Sequence, residues 1–518
     1  MLLALAHGYP YLTTLTDDTF VPLQFARNLI AGEGFGFNAG EPTYGAPSPL
    51  WVLLTAAGGA VLPRAEEVSS RAETTPSPAP PMPRLAWIAK GCGAFFLAAS
   101  IVAMGWLGRR VGWSAGFALL PALLLAGHAG SARWAVSGLE TPLAVLGVVL
   151  ALVGLERALI RGKSPLVAGA FLGIASLARP ECWLLAGLGT AAIAYGAERD
   201  RAKRILFAFG GIALATGPWL VAAWTWFQRV LPNAGAGGAG VGGAGVGGAA
   251  ALRESIRILL SAELFPVALL VMGLAWAGPV ILRDLPRARR SFWLLVAAWP
   301  VVLLGAVLAG AATAGQRTLL LGTPSVLLLA VASLRWVAAK LGARRSNGAV
   351  LAFAALFLAQ NLFITFVLNA PRAQRETAAL RASLVSLGLR TREHARKGAR
   401  IAVPNAGAFG YYCERALLDL SGAVTPAMAP IASRVEYDAV VEGLLFETVA
   451  RPDFLLDRSR VENRLDTRED PTNPYLWLDF EVVPASGLQG SAPVVYSLYF
   501  IRWDAYDQTR PRIAGLID

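Results

Sequence analysis

Cysteine and histidine are scarce in this sequence of 518 residues, which contains only three of each. The cysteines are far apart, and two of the three fall in apolar segments, so no disulfide framework is indicated. The histidines do not have the spacing of metal ligands, so a divalent metal is possible but the sequence does not indicate one. The residues concerned are Cys92, Cys182, Cys413, His7, His128 and His394.

Charge is also low, at 15% of residues against about 25% in an ordinary soluble protein. Hydrophobic residues make up 55%, and the mean hydropathy of +0.52 is typical of a polytopic membrane protein. The net charge is +12, and all of this excess lies before residue 370, where 28 basic residues face 15 acidic ones. The remainder, with 18 basic and 19 acidic residues, lacks the basic face that nucleic-acid binding requires.

Ten apolar segments predict membrane spans, and five clusters of basic residues fall in alternate loops between them. The segments are 85–107, 113–129, 142–155, 165–178, 183–197, 205–227, 264–282, 292–312, 318–337 and 350–368. The basic loops lie at 109–110, 157–163, 199–204, 283–290 and 340–345. By the positive-inside rule these loops face the cytoplasm, and the other loops and the C-terminal region face outward.

Residues 47–63 are apolar but do not fit this alternation as a span. We therefore expect a helix in the outer interface, with Trp51 as its interfacial anchor. The segment before Asp17 is too short to span, so we expect a longer first helix in the complete protein and about eleven spans. The Gly/Ala tract 234–250 predicts a disordered external loop, and the stretch after it a surface helix.

From about residue 370 the sequence changes to the pattern of a soluble α/β domain. The stretch "RIAVPNAGAFGYYCERALLDL" predicts a strand, a turn and helix, and a second strand, and "RPDFLLD" predicts another buried strand. The expected organisation is a membrane domain at 1–369, with an external loop at 16–84, followed by an external α/β domain at 370–518.

Two adjacent carboxylates, Asp17 and Asp18, stand at the start of that external loop. Because Pro22 fits only in the first turn of a helix, a helix from about Asp18 to Gly32 is predicted, with Asp18 as its N-cap and Asp17 freer. Both could simply cap a surface helix. Alternatively, they are functional residues, because loops built on an apolar scaffold often contain catalytic or binding residues.

Residues 17–51, "DDTFVPLQFARNLIAGEGFGFNAGEPTYGAPSPLW", resemble the first external loop of membrane glycosyltransferases of the C superfamily, nearest to the arabinofuranosyltransferase/mannosyltransferase-like subgroup. The matching positions are Asp17, Asp18, Arg27, Asn28, Leu29, Gly32, Gly34, Asn38, Gly40, Glu41, Gly45, Pro49, Leu50 and Trp51. Further matches are "SGLETPL" (137–143), "ARPE" (178–181), "LPN" (231–233) and "GQRTLL" (315–320). The tail "IAVPNAGAFGYYCERALLDLSGAVTP" resembles the external C-terminal domain of that family.

The resemblance implies a multi-pass enzyme of the plasma (inner) membrane. It would transfer a hexosyl or pentosyl group from a polyprenyl-phosphate donor to a glycan, lipid or protein acceptor, on the external face and with inversion. The polyprenyl-phosphate sugar is the substrate, and no cofactor is implied.

The roles implied for individual residues follow the needs of this reaction. A general base must accept the proton of the acceptor hydroxyl, and Asp17 and Asp18 are the candidates. Cations must meet the charge that develops on the lipid phosphate, and Arg317 and Arg179 lie at the right depth. The candidates for substrate binding are Glu140, Glu181, Asn233, Arg27 and Asn28. Each glutamate is about equally well explained as a helix-end charge paired with Arg133 or Arg179. Arg27 and Asn28 are better explained as residues that shape the loop than as sugar ligands, and Asn233 could do either.

Two other functions remain open. A transporter or flippase of lipid-linked sugars would place ionisable residues in mid-helix and show related halves, and neither pattern is evident. An inactive sugar-binding relative is favoured by the Gly-rich tract, which replaces the aromatic, Lys-containing run that follows "LPN" in the family.

Overall fold

The computed structural model describes residues 2–62, 81–233, 285–309, 315–340, 343–466, 473–483 and 493–507, and the single positions 253, 256 and 267. The predicted loop 234–250 lies outside these residues, as do nearly all of the predicted span 264–282 and nearly all of the predicted helix between them. Within the described residues up to 363, the α-helices are α1 Leu2–Gly8, α2 Phe20–Ala31, α3 Pro49–Val61, α4 Arg84–Arg110, α5 Ala115–Ala126, α6 Ala129–Ala135, α7 Thr141–Leu159, α8 Leu166–Ala178, α9 Cys182–Gly196, α10 Arg201–Phe227, α11 Arg287–Leu308, α12 Gln316–Leu319, α13 Thr323–Lys340 and α14 Ala343–Phe363.

A bundle of apolar helices confirms the prediction of a polytopic membrane domain. Six helical runs are long and apolar enough to cross a bilayer among the described residues, and the bent pair α5–α6, with a 58° angle, adds a seventh. The shorter apolar helices α3, α8 and α9 complete the bundle. The number of spans, predicted as about eleven, stays a prediction.

The helix α3 takes the place of the predicted interfacial helix. Its 13 residues extend only about 20 Å, less than the ~30 Å hydrocarbon core. The prediction for Trp51 was wrong. Its side chain is fully buried, and its indole N–H donates to the carbonyl of Gly138 at 3.2 Å, because α3 packs inward against α4.

The segment around the paired carboxylates begins with a short 3₁₀ turn, Asp17–Thr19, and continues as α2. The helix ends as predicted at Gly32, whose φ of +80° is the left-handed conformation that glycine adopts at little cost. The predicted N-cap was wrong, because the cap of the turn is Thr16 and Asp18 bonds to a distant arginine instead.

A continuous helical run connects the membrane bundle to the C-terminal sheet. It passes from α14 through the π-helical segment Ile364–Asn369, α15 Ala370–Leu380, the π-helical segment Arg381–Val385 and α16 Ser386–His394. The boundary expected at 369/370 falls inside this run, and the first strand begins only at Arg400.

The C-terminal region is the predicted α/β domain. The elements after the helical run are β1 Arg400–Val403, α17 Ala408–Cys413, β2 Ala416–Asp419, α18 Ala429–Ala432, α19 Tyr437–Glu442, β3 Phe454–Ser459, β4 Tyr475–Val483 and β5 Val494–Ile501. The strand order is β2-β1-β3-β5-β4, with β1 parallel to β2 and β3, and β5 antiparallel to β3 and β4. The predicted strand–helix–strand unit is therefore confirmed as β1–α17–β2, and "RPDFLLD" contains β3.

Basic side chains gather at one end of the bundle. Arg110 and Arg161 both bond the fully buried Glu156, at 2.5 and 2.9 Å. Arg204 donates to the carbonyl of Ala158 at 2.5 Å. Glu156 lies near the C-terminal end of α7, so these basic residues are at that end of the bundle. The candidate site lies at the opposite end, near the start of α7.

Candidate active site

The loop that follows α1 and the segment before α13 meet through an ion pair. An Nη of Arg317 lies 2.7 Å from a carboxylate oxygen of Asp18, although the two residues are 299 positions apart. The Asp18 side chain is 63% exposed and that of Arg317 29%, so this pair stands at the surface of the site. Arg317 was expected to begin an apolar helix, but it lies in the short helix α12, and the long helix begins at Thr323.

Behind this pair lies a buried network centred on Arg179. Its guanidinium bonds Glu181 through two nitrogens, at 2.6 and 3.0 Å, and Glu140 at 3.1 Å. It also donates to the hydroxyl of Thr318, next to Arg317, at 3.3 Å. Burial alone would raise the pKa of Glu181, but the charge and hydrogen bonds of Arg179 outweigh it and lower that pKa. The network places one arginine and two glutamates next to Thr318 and Arg317, and Glu140 pairs with Arg179 and not with Arg133.

Asp17 turns away from Asp18 and toward the C-terminal domain. One of its carboxylate oxygens accepts a hydrogen bond from the backbone N–H of Ala408 at 2.7 Å, between residues 391 positions apart. Burial raises the pKa of Asp17 to about 7, the Ala408 N–H opposes this shift, and repulsion from Asp18 adds to it. A carboxylate with such a pKa is suited to take a proton near neutral pH.

The side chains of Arg27 and Asn28 both bond other parts of the protein. The Asn28 amide donates to the carbonyls of Gly36 and Phe37, each at 2.9 Å, and so ties the end of α2 to the following turn. Arg27 lies over the ring of Tyr411 at 4.4 Å and donates to the carbonyl of the same residue at 3.2 Å. Asn28 thus bonds the loop itself, whereas the contacts of Arg27 reach the C-terminal domain.

Asn233 closes the other side of the loop. Its backbone N–H donates to the carbonyl of Tyr44 at 2.8 Å, and its side-chain amide donates to the hydroxyl of Thr43 at 3.1 Å. The Tyr44 ring stacks on Phe227 at the end of α10, with the ring centroids 5.5 Å apart. Asn233 is buried, and its contacts hold the loop near the end of α10.

The structure contains a polar pocket beside the Asp18–Arg317 pair that the sequence did not predict. It is lined by Thr14, Leu15, Thr16, Arg133, Trp134, Ser137, Ala373 and Glu376. The Trp134 indole carries the guanidinium of Arg317 over its ring at 5.5 Å and donates from its N–H to Gln316 at 3.0 Å. The only signal in the sequence was an aromatic residue between polar ones in the short loop "SARWAVSGLE". No group of three or more potential metal ligands occurs within the part of the chain that the structure describes.

Comparisons of the sequence with known proteins give a match to a domain in the C-terminal region. Residues 372–499 match the model of a domain of unknown function (DUF8728). No curated protein sequence matches the chain.

Two solved structures of ArnT from Cupriavidus metallidurans are similar to the whole chain. The undecaprenyl phosphate complex gives a TM-score of 0.54 at 15% identity, over 96% of both chains. The apo structure gives 0.55 at 14% identity, again over 96% of both chains. The archaeal oligosaccharyltransferase AglB from Archaeoglobus fulgidus, in complex with an inhibitory peptide and a dolichol-phosphate, gives 0.53 at 12% identity, over 88% of this chain and 68% of its own. On this evidence the chain has the fold of the C superfamily of membrane glycosyltransferases.

Proposed function

We propose that this protein is an integral-membrane glycosyltransferase that transfers a sugar from a polyprenyl-phosphate donor to an acceptor hydroxyl, with inversion. One observation carries the proposal: a proton acceptor and a set of cations converge at one end of the bundle from distant parts of the chain. Asp18 bonds Arg317, its neighbour Asp17 accepts from the Ala408 N–H, and Arg179 bonds the hydroxyl of Thr318, next to Arg317. The lipids named for the two similar proteins, undecaprenyl phosphate and dolichol-phosphate, support a lipid-phosphate donor.

Asp17 is the proposed general base. In an inverting transfer, one carboxylate takes the proton of the acceptor hydroxyl as its oxygen attacks the anomeric carbon, and the bond to the lipid phosphate breaks with its electron pair. Because burial and Asp18 raise the pKa of Asp17 to about 7, this carboxylate is more basic than an ordinary aspartate. Asp18 has a different role in this proposal, since it holds the Arg317 guanidinium in place at 2.7 Å.

The departing phosphate would be met by arginine. Arg317 is partly exposed and presents its planar guanidinium at the surface of the site, where it can form two parallel hydrogen bonds with a phosphate. Arg179 is already bonded to two carboxylates. It would therefore act on the phosphate only at a distance, through the positive charge that it contributes behind Arg317. Glu140 and Glu181 carry the negative charge that would steady an oxocarbenium-like sugar.

The sidedness of the reaction follows from the charge pattern. The basic loops mark one end of the bundle, and the candidate site and the C-terminal domain lie at the other, which supports an external site in a plasma (inner) membrane. We assign the catalytic membrane domain to 1–369 and the external domain to 370–518. An arabinofuranosyl- or mannosyltransferase-like specificity is the subtype that the motif favours.

The experiment follows the fate of the donor. The purified protein in nanodiscs is given synthetic polyprenyl-phosphate arabinose or mannose with and without a glycan acceptor, and released polyprenyl phosphate and product are measured by mass spectrometry. A transferase releases the lipid phosphate and forms a glycosidic product. A flippase moves the intact lipid across a vesicle, and an inactive relative binds the sugar, but neither releases lipid phosphate, so absence of release would refute the proposal.

A further inference from the structure

We propose that the C-terminal domain completes the catalytic site, because the backbone N–H of Ala408 positions Asp17 and Gly407 is the residue that makes this contact possible. The inference rests on the proposed function, in which Asp17 is the base. It assigns a role to a region that matches only a domain of unknown function.

The contact requires a residue without a side chain at position 407. A Cβ added to Gly407 would lie 2.3 to 2.5 Å from three atoms of the Asp17 carboxyl group. Real Cβ atoms essentially never come this close to another heavy atom, so any larger residue would push the carboxylate away. The 2.7 Å bond from Ala408 therefore exists only because the backbone at Gly407 passes directly against Asp17.

The domain is held in this position by a second and independent set of contacts. The amide of Asn38 in the first external loop accepts from the N–H of Leu417 at 2.8 Å and donates to its carbonyl at 2.9 Å. Leu417 lies in β2, which is an edge strand of the sheet, so Asn38 occupies hydrogen-bonding groups that an edge strand otherwise leaves free. Arg27 adds an ion pair to Glu414 at 3.3 Å.

The groups that face Asp17 come from both domains. Asp18 is its neighbour in the loop, and Ala408 supplies the hydrogen bond. Tyr496 of β5 also lies close to Asp17. Burial and the charge of Asp17 together raise the pKa of Tyr496 to about 12. The side chain of Arg458, in β3, hydrogen-bonds the Tyr496 hydroxyl. The C-terminal domain thus provides one side of the space around the carboxylate, and the membrane domain the other.

The test uses Gly407→Ala, with Gly398→Ala as the matched control. Gly398 lies in the same domain, just before β1, and a Cβ there would meet no atom within 4 Å. The Gly407→Ala variant should lower kcat/KM at pH 7 at least about tenfold. It should also move the acid limb of the pH profile upward by about one unit, because a hydrogen bond that favours the ionised carboxylate is lost. The control should change neither quantity.

A second variant guards against misfolding. Ala408→Pro removes the same N–H at the first position of α17, where proline is tolerated in a helix, and should give the same upward shift. If either variant is folded by its thermal melt and keeps the acid limb of the wild type, the inference is overturned while the proposed function stands.

Carbodiimide labelling at Asp17 separates this inference from the proposed function. Carbodiimides modify protonated carboxyl groups, so the pH dependence of labelling, read by peptide mass spectrometry, reports the pKa of Asp17 without any transfer. If the wild type transfers no sugar, the proposed function fails, but higher midpoints for Gly407→Ala and Ala408→Pro would still support the contact. Equal midpoints in wild type and variants would overturn it.

Discussion

Replacing Arg317 by lysine distinguishes a phosphate-binding arginine from an interfacial anchor. Lysine keeps the charge and reaches the membrane surface equally well, so an anchor would tolerate it. Lysine cannot form two parallel hydrogen bonds with one phosphate, so a phosphate-binding site would not tolerate the substitution. The two explanations therefore predict different kinetics for the same charge.

The structure sets the expected magnitude. The ion pair with Asp18 is exposed, with side chains 29% and 63% accessible, so its loss should change the free energy of unfolding by less than about 1 kcal/mol. A hydrogen bond to a charged group contributes about 1.5–3 kcal/mol, so losing one of two should lower kcat/KM for the donor roughly 10- to 100-fold. Arg317→Ala loses both hydrogen bonds and the charge, and should be worse than lysine.

The assay measures initial rates of lipid-phosphate release against donor concentration in nanodiscs, with a thermal melt of each variant. The matched control is Arg390→Lys in the C-terminal domain, where the arginine bonds Asp479 at 2.8 Å and Glu481 at 2.9 Å and is similarly exposed. The control should keep wild-type kinetics. Near-normal kinetics for Arg317→Ala would refute the assignment and leave Arg317 as an anchor.

Three further predictions concern the base, the loop and the topology. Transfer should decline as the pH falls below about 7, because burial raises the pKa of Asp17 to about 7 and the protonated acid cannot accept a proton. Asp18→Asn removes the neighbouring charge and should move the acid limb of the pH–rate profile to lower pH. An unchanged acid limb would contradict the assignment of Asp17 as the base. Asp17→Asn should abolish transfer. A raised folded-state pKa makes stability decrease as the pH rises through it, so this variant should melt no lower than the wild type at pH 8. Asn28→Ala should destabilise the protein by about 1–3 kcal/mol in thermal unfolding, because two carbonyls lose their amide donor, and an unchanged melt would show that the loop does not depend on them. In a cysteine-free background, Ala39→Cys should react with an impermeant maleimide in intact cells and Asn347→Cys only after lysis, and the reverse result would invert the topology.

Local sequence patterns were sufficient for most of the architecture. The apolar runs predicted the helices because a bilayer selects for length and hydropathy, which are properties of a continuous segment. Gly32 predicted the end of α2, and the period of "RIAVPNAGAFGYYCERALLDL" predicted β1–α17–β2, because turns and strands depend on neighbouring residues. The resemblance of the motif at 17–51 added the superfamily fold.

Only the tertiary structure decided which polar groups meet. The sequence offered both Asp17 and Asp18 as candidate bases and could not separate them by their partners, but one accepts from the Ala408 N–H and the other bonds Arg317. It also took Trp51 for an interfacial anchor, whereas α3 packs inward and buries it. The physical reason is the same in each case. The partner of a side chain is set by the packing of helices and domains that are distant in the chain, by 87 positions for Trp51 and by 299 and 391 for Asp18 and Asp17, and the local pattern around a residue does not specify that packing.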